Sequence, residues 1–344
     1  MARNVQIRRN LTCRATPVIL AVLLLLLGAL SPVAYAWNES GHRVIAATAA
    51  EHMSAKLRSR VVAALKAHPR YKEDFAAYRP RRLRGLTEAQ WLMGQAAAWP
   101  DHARSFDNAP RRSRDALVKR YHRGNWHYIN LPLYLTEADG ALRIKDPARS
   151  PSNSKRKRKL KRPRDVLTAL SFIEAKLNDP KTPLSEQGLW ISWALHLIAD
   201  VHQPLHTTAM FSKNRWPRGD RGGNEIKIAG SGRADRLDSL HYYWDRAISN
   251  RRKPQEIRAL VNVLNKQKTS GFAENETEPL KWIREGHVIA ERLVYRPLRP
   301  QIVASPVVKI PKEYSQKTHA AALKLGAVAA HRTSLWLAAA LKEY

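Results

Sequence analysis

The sequence predicts a mainly α fold: one multi-helix domain with a small β-hairpin. Three observations carry this. Apolar residues recur at helical spacing through most of the chain. Runs with strand-like alternation are few and short. No internal repeat and no Gly/Ser linker divides the sequence from Trp37 onward.

The first 36 residues are set apart from that domain. Arg3, Arg8, Arg9 and Arg14 make a positive segment, Val18–Leu30 is an apolar run, and Ala34-Tyr35-Ala36 has the small-x-small form of a cleavage signal. Residues 1–36 therefore read as a secretory signal peptide, with an apolar run too short to span a bilayer comfortably. Cleavage before Trp37 leaves residues 37–344, secreted or periplasmic and without a stable membrane anchor. Cys13, the sole cysteine, leaves with the signal peptide. Stability then has to come from a large core and from bound metal rather than from disulfides. The whole chain carries a formal charge of +31; removing the four signal-peptide arginines leaves +27. So basic a protein attracts polyanions such as nucleic acid or an anionic membrane, and charge alone does not choose between them.

Taken in order, the stretch after Trp37 reads as an amphipathic helix with Ser40 as N-cap, running toward His68. Thr87 caps a second helix through Ala98, stopped by Trp99-Pro100, so that Asp101 opens a loop. Trp126–Asn130 is short, aromatic and extended or irregular. Residues 149–164 are almost entirely Ser, Pro, Lys and Arg and read as a solvated, disordered insertion, with a nonspecific phosphate-binding arm as the secondary reading. Helical spacing resumes over Asp165–Leu177, and Ser185 caps the central helix. Gly222–Ile228 is a turn into one arm of a hairpin. Helices follow around Asp238–Asn250, Pro254–Lys266 and Pro279–Tyr295, and Tyr314–Tyr344 is a long Ala/Leu-rich helical stretch.

The central helix carries the chemistry. Leu189–Thr207 holds His196, Asp200, His202 and His206 within otherwise apolar sequence. His196 and Asp200 are four apart and project from one face; His206 lies just past Pro204, where a helix must end or bend. A lone HxxxD on an apolar helix is more often a hydrogen-bonded core pair than a metal site. The pattern recurs, however, at His241 and Asp245, again among aromatic residues. Buried imidazoles and carboxylates need partners, and His nitrogen and Asp oxygen are normal zinc ligands. Two such pairs plus His206 point to a polynuclear metal site.

In this order and spacing the motifs resemble the zinc-dependent, single-strand-specific nucleases of the S-one/P-one type, which have fungal, plant and bacterial members. The resemblance starts at Trp37-Asn-Glu-Ser-Gly-His42. It continues through Trp99-Pro-Asp101, Trp126-His127, His196 to His206, Gly222-Gly-Asn224 and Leu240-His241 to Asp245, and ends with the Glu285…Tyr295 region and the C-terminal helix. It implies the phospholipase C / single-strand nuclease fold and three Zn2+ ions. Asp101, His127, His196 and Asp200 would hold one. His206, His241 and Asp245 would hold a second. The amine and carbonyl of Trp37, with His42 and Asp200, would hold the third. An α-amine ligand exists only after the signal peptide is cut, and the cut falls just before Trp37.

The resemblance further implies endonucleolytic hydrolysis of single-stranded DNA and RNA to 5′-phosphorylated products, with 3′-nucleotidase activity as a further expectation. Asp101 and Asp200 would act through the metals, and Arg104, where relatives often carry Lys, would bind a nonbridging phosphate oxygen. Tyr128 would stack on a base, Asn224 would contact a base edge, and Asn130 stands where fungal members carry Asp. An amide donates and accepts whereas a carboxylate only accepts, so base preference does not transfer. His202 and His102 fall outside the ligand pattern as supporting or structural residues. Two rivals remain: a zinc phospholipase C of the same broader fold, and a noncatalytic basic protein with structural zinc. The sequence indicates no protein partner.

Overall fold

The computed structural model describes residues 37–149, 162–229 and 237–342. The signal-peptide reading and most of the basic insertion lie outside them. The described chain is mainly α, with a few short strands. Its helices are α1 (Glu39–His52), α2 (Ala55–Lys66), α3 (Glu88–His102), α4 (Arg111–Tyr121), α5 (Val166–Asn178), α6 (Leu184–Val201), α7 (Leu240–Asp245), α8 (Pro254–Asn265), α9 (Pro279–Ile289), α10 (Arg299–Ala304) and α11 (Lys312–Ala340). The strands are β1 (Leu131–Tyr134), β2 (Thr208–Phe211), β3 (Lys227–Ala229), β4 (Asp238–Ser239) and β5 (Val307–Lys309).

Several boundaries differ from the sequence reading, each for a local reason. The first helix is two: Met53 is extended, and the Ser54 hydroxyl caps α2 by accepting from Leu57 N–H. Asn38, not Ser40, caps α1, because the Ser40 hydroxyl donates to the Arg251 carbonyl. Thr87 does cap α3, in a reciprocal capping box with Gln90. That helix runs through Pro100 to His102, and Ala103 N–H still bonds the Trp99 carbonyl at 2.9 Å. A proline this near a C-terminus costs one hydrogen bond, while the buried Trp99 holds the turn in the core. Asp101 therefore sits on the last helical turn and does not open a loop. Pro183, not Ser185, holds the N-cap position of the central helix, with no side-chain capping bond. The helix expected over Asp238–Asn250 is only the six residues of α7. The one expected over Pro279–Tyr295 ends at Ile289 and continues as a π-helical turn, Ala290–Tyr295.

The hairpin expected at Gly222–Ile228 is part of a three-stranded sheet. β3 pairs antiparallel with β4 and parallel with β5. A second sheet pairs β1 with β2 in parallel, Leu131 opposite Thr208. One large apolar cluster joins α1, α2, α3, α5, α6, α8 and α11. Helices α2 and α6 meet at Gly188, where a Cβ would collide with the Ala64 carbonyl, so only glycine permits that approach. A smaller cluster gathers Leu205, Met210, Ile228, Leu240, Trp244 and Tyr295 around the strands, α7 and the π-helical turn. The residues of interest come from elements of both clusters.

Candidate metal centre

The parallel pairing of β1 and β2 builds half of the site. Ile129 N–H bonds the His206 carbonyl at 2.8 Å and Leu131 N–H bonds the Thr207 carbonyl at 3.0 Å. This extends the register backward, so His127, which ends the 3-10 turn Gly124–His127, comes beside His206, which ends the turn Pro204–His206. Helix α6 adds His196 and Asp200 from one face, α1 adds His42, the last turn of α3 adds Asp101, and α7 adds His241 and Asp245.

Asp200 is the hub. Its Oδ2 lies 3.1 Å from His127 Nδ1, 3.3 Å from His196 Nε2 and 4.0 Å from His206 Nδ1; its Oδ1 lies 3.4 Å from His42 Nε2. His196 Nε2 is also 3.8 Å from Asp101 Oδ1, and His42 stacks on His196 with ring centroids 3.9 Å apart. His241 Nε2 and Asp245 Oδ1 are 3.6 Å apart. Among the described residues, three sets bring one donor atom from each member within 4.8 Å of the others: His42, His196 and Asp200; Asp101, His127 and His196; His206, His241 and Asp245.

Outer hydrogen bonds aim the rings. His196 Nδ1 bonds the Ala97 carbonyl at 2.7 Å, His206 Nδ1 the His127 carbonyl at 2.6 Å, and His241 Nδ1 the Gly222 carbonyl at 2.7 Å. A carbonyl only accepts, so each Nδ1 carries a proton and leaves Nε2 as the atom free to face the other ligand groups. Several buried atoms of these groups have no hydrogen-bond partner: both nitrogens of His42, Nε2 of His127 and of His206, Oδ1 of Asp200 and Oδ2 of Asp245. Each such buried group costs about 1–3 kcal/mol if left alone. A five-imidazole, three-carboxylate donor set fits a borderline-soft divalent cation such as zinc.

The electrostatics agree. Burial, then neighbouring imidazoles and Arg104, hold His42 well below the usual histidine value. Burial and Arg104 do the same to His127, and burial and His241 to His206. These rings are neutral at pH 7, the form that binds metal. Burial pushes Asp200 up to about 6 and Asp245 well above the carboxylate range. Burial also opposes charge on His196, but Asp200 and Asp101 outweigh it and its shift is upward. These carboxylates are short of positive charge, which a divalent cation would supply.

The other expected residues are placed as follows. Arg104 Nη2 reaches Asp101 Oδ1 at 2.9 Å. Trp37 is fully buried, its indole N–H on the Ala199 carbonyl at 2.9 Å, and Asn38 N–H bonds the Asp245 carbonyl at 2.9 Å. The chain at 37–38 is thus wedged between Asp200 and Asp245. Tyr128 is exposed and Asn130 half-buried. Asn224 is buried and donates its side-chain N–H to the Arg221 carbonyl at 2.8 Å, closing its own turn. His202 bonds the Ile198 carbonyl and faces the buried Arg332, which pairs with Glu285.

Two supporting residues were not read from the sequence. Gln203 donates to Asp245 Oδ1 at 2.7 Å and accepts from Leu205 N–H at 2.6 Å. Asp220 accepts from Met210 N–H at 2.9 Å and Tyr295 O–H at 2.8 Å, and so seats the loop whose Gly222 carbonyl aims His241. Gly222 is left-handed, at φ 61°, and packs against the Leu205 carbonyl, where no side chain fits. The HQPLH spacing was the only available hint of Gln203. Gln203→Ala is expected to weaken metal retention about 10–100-fold, as loss of an outer-sphere partner does. Titration against a competing chelator measures it, and unchanged retention would remove Gln203 from the site.

A mainly α scaffold with buried His/Asp clusters defines a candidate polynuclear metalloprotein. The chain belongs to the S1/P1 Nuclease family, which matches residues 37–342, nearly the whole chain. Among curated proteins, no match was found. Membership supports a nuclease, hence a hydrolase acting on nucleic acid, and the His/Asp clusters can bind metal.

Proposed function

We propose that this nuclease is a zinc-dependent endonuclease of single-stranded DNA and RNA, releasing 5′-phosphorylated products and also acting as a 3′-nucleotidase. The observation that carries this is the Asp200 hub, where one buried carboxylate meets four imidazoles in overlapping His/Asp sets. Three Zn2+ are assigned: one to Asp101, His127, His196 and Asp200; one to His206, His241 and Asp245; one to His42, Asp200 and the Trp37 amine and carbonyl. Bound there, zinc supplies Lewis acidity and a water that loses its proton near neutral pH.

The chain's own residues then hold the substrate. Arg104, fixed by Asp101, presents its guanidinium to a nonbridging phosphate oxygen. Tyr128, 40% exposed and next to His127, gives a base a flat face. Only an unpaired, unstacked base can use it, which is the physical source of single-strand preference. Asn130 and Asn224 are the proposed polar contacts. Tyr128→Ala should raise KM for single-stranded DNA about tenfold, within the roughly 1–3 kcal/mol a stacked base contributes. An unchanged KM removes that role.

The protein is proposed to be exported and cut before Trp37, so that maturation completes the third set. The wedge at 37–38 supports this, since the indole and Asn38 anchors already fix the terminus beside Asp200 and Asp245. A chain with one extra residue before Trp37 should lose one zinc per molecule; full zinc content would refute the amine ligand. The primary test measures single-stranded DNA hydrolysis, with phosphatidylcholine as counter-substrate and chelator as control. Turnover of DNA alone, abolished by chelator, supports the reading. Turnover of lipid favours the phospholipase, and no turnover on zinc-loaded protein favours a binding role.

A further inference from the structure

A cleft of about 750 Å³ opens beside Asp101, and Arg104, Asn130 and Asn224 are not among its lining residues. Its walls include Arg43, Tyr78, Trp91, Asp101, Tyr242 and Arg246; Tyr128 is not among them. Tyr242 follows His241 on α7. One residue further round the helix turns a side chain by about 100°, so His241 faces the metal centre while Tyr242 is 38% exposed to the cleft. Arg246, one turn on, holds its guanidinium carbon 5.1 Å from the Tyr242 ring centroid. Three of the four acids lining the cleft are paired: Glu39 with Arg43 at 2.6 Å and Arg252 at 3.0 Å, Asp74 with Arg70 at 2.8 Å, and Asp101 with Arg104 at 2.9 Å. A nucleotide seated here meets a flat aromatic face and a cation together, the combination that holds single strands without reading sequence.

We propose that this cleft is a second nucleotide subsite, holding the strand on the far side of the scissile phosphate from Tyr128, with Tyr242 as stacking face and Arg246 as phosphate contact. This rests on the single-strand nuclease reading. Two exposed tyrosines each follow a proposed ligand histidine, Tyr128 after His127 and Tyr242 after His241. Tyr242 and Asp101 line the cleft, and Tyr128 does not. On this proposal a strand touching both tyrosines spans the residues between them, which favours longer oligonucleotides over dinucleotides.

The experiment uses zinc-loaded protein and single-stranded DNA from two to eight nucleotides. Hydrolysis gives kcat and KM, and phosphorothioate-protected oligonucleotides of the same lengths give Kd. In the wild type kcat/KM should climb with length. In Tyr242→Ala that climb should shrink about tenfold, through KM and with matching zinc content, and Tyr242→Phe should restore it. Arg246→Ala should reduce the salt slope of octanucleotide binding by about one unit. Loss of equal size at every length, or no loss, overturns the subsite. Length-dependent binding that Tyr242→Ala weakens, without hydrolysis in the wild type, overturns the nuclease reading while the subsite stands. A wild type that neither binds nor cuts overturns both.

Discussion

Asp200→Ala is expected to abolish nuclease activity while leaving the helical scaffold folded. The carboxylate is fully buried and meets His42, His127, His196 and His206 at 3.1–4.0 Å. Its removal leaves four imidazoles without their shared carboxylate, with Asp101 near His196 alone. Two of the three proposed ions lose a ligand at once, and with it the charge that offsets theirs. The loss should exceed the roughly 10–100-fold that follows removal of an outer-sphere partner. Asp200→Asn separates charge from shape, because the amide keeps the volume but loses the anion and turns a donor toward the rings. Both variants should lose zinc in parallel with activity while keeping far-ultraviolet circular dichroism, since α6 is held by Ile191, Leu195 and Ile198 in the main core. Near-normal turnover by either variant would refute the hub.

Much of this candidate centre was legible in the sequence because its residues come as local patterns. His196 and Asp200 share a helix, as do His241 and Asp245, and a spacing of four on an apolar helix shows at once which side chains converge. The mainly α class was equally plain from periodicity. Features that depend on distant partners were hidden. The β1–β2 pairing joins Leu131 to Thr208, and nothing near either residue announces the other. Ser40 has the right chemistry for an N-cap, but the Arg251 carbonyl claims its hydroxyl and Asn38 takes the cap. Helix α4 was missed because Arg111–Tyr121 is mostly charged and buries only Tyr121, leaving little apolar rhythm to read. Gln203 and Asp220 matter through hydrogen bonds to Asp245 and Tyr295 that only the fold creates. For Tyr242 the adjacent ligand was visible, but not the cleft it faces.

Stripping the metal should destabilise the protein as strongly as it inactivates it. The ion-free cluster holds unpartnered nitrogens on His42, His127 and His206 and unpartnered oxygens on Asp200 and Asp245, all buried. Burial also drives Asp200 up to about 6 and Asp245 far above its ordinary range, so at pH 7 their ionised forms oppose folding unless a cation compensates. One ion present at a thousandfold over its Kd adds about 4 kcal/mol. At about 2–4 °C per kcal/mol, chelation should lower Tm by about 10 °C or more. Zinc should restore both Tm and activity. Magnesium should restore neither, because a nitrogen-rich set suits a borderline-soft ion and magnesium prefers oxygen. With Cys13 as its one cysteine, the chain has no intrachain disulfide to mask the change. A Tm indifferent to chelator would mean that the imidazoles and carboxylates satisfy one another by sharing protons. The two HxxxD pairs would then be hydrogen-bonded core elements, and the nuclease chemistry would need another centre.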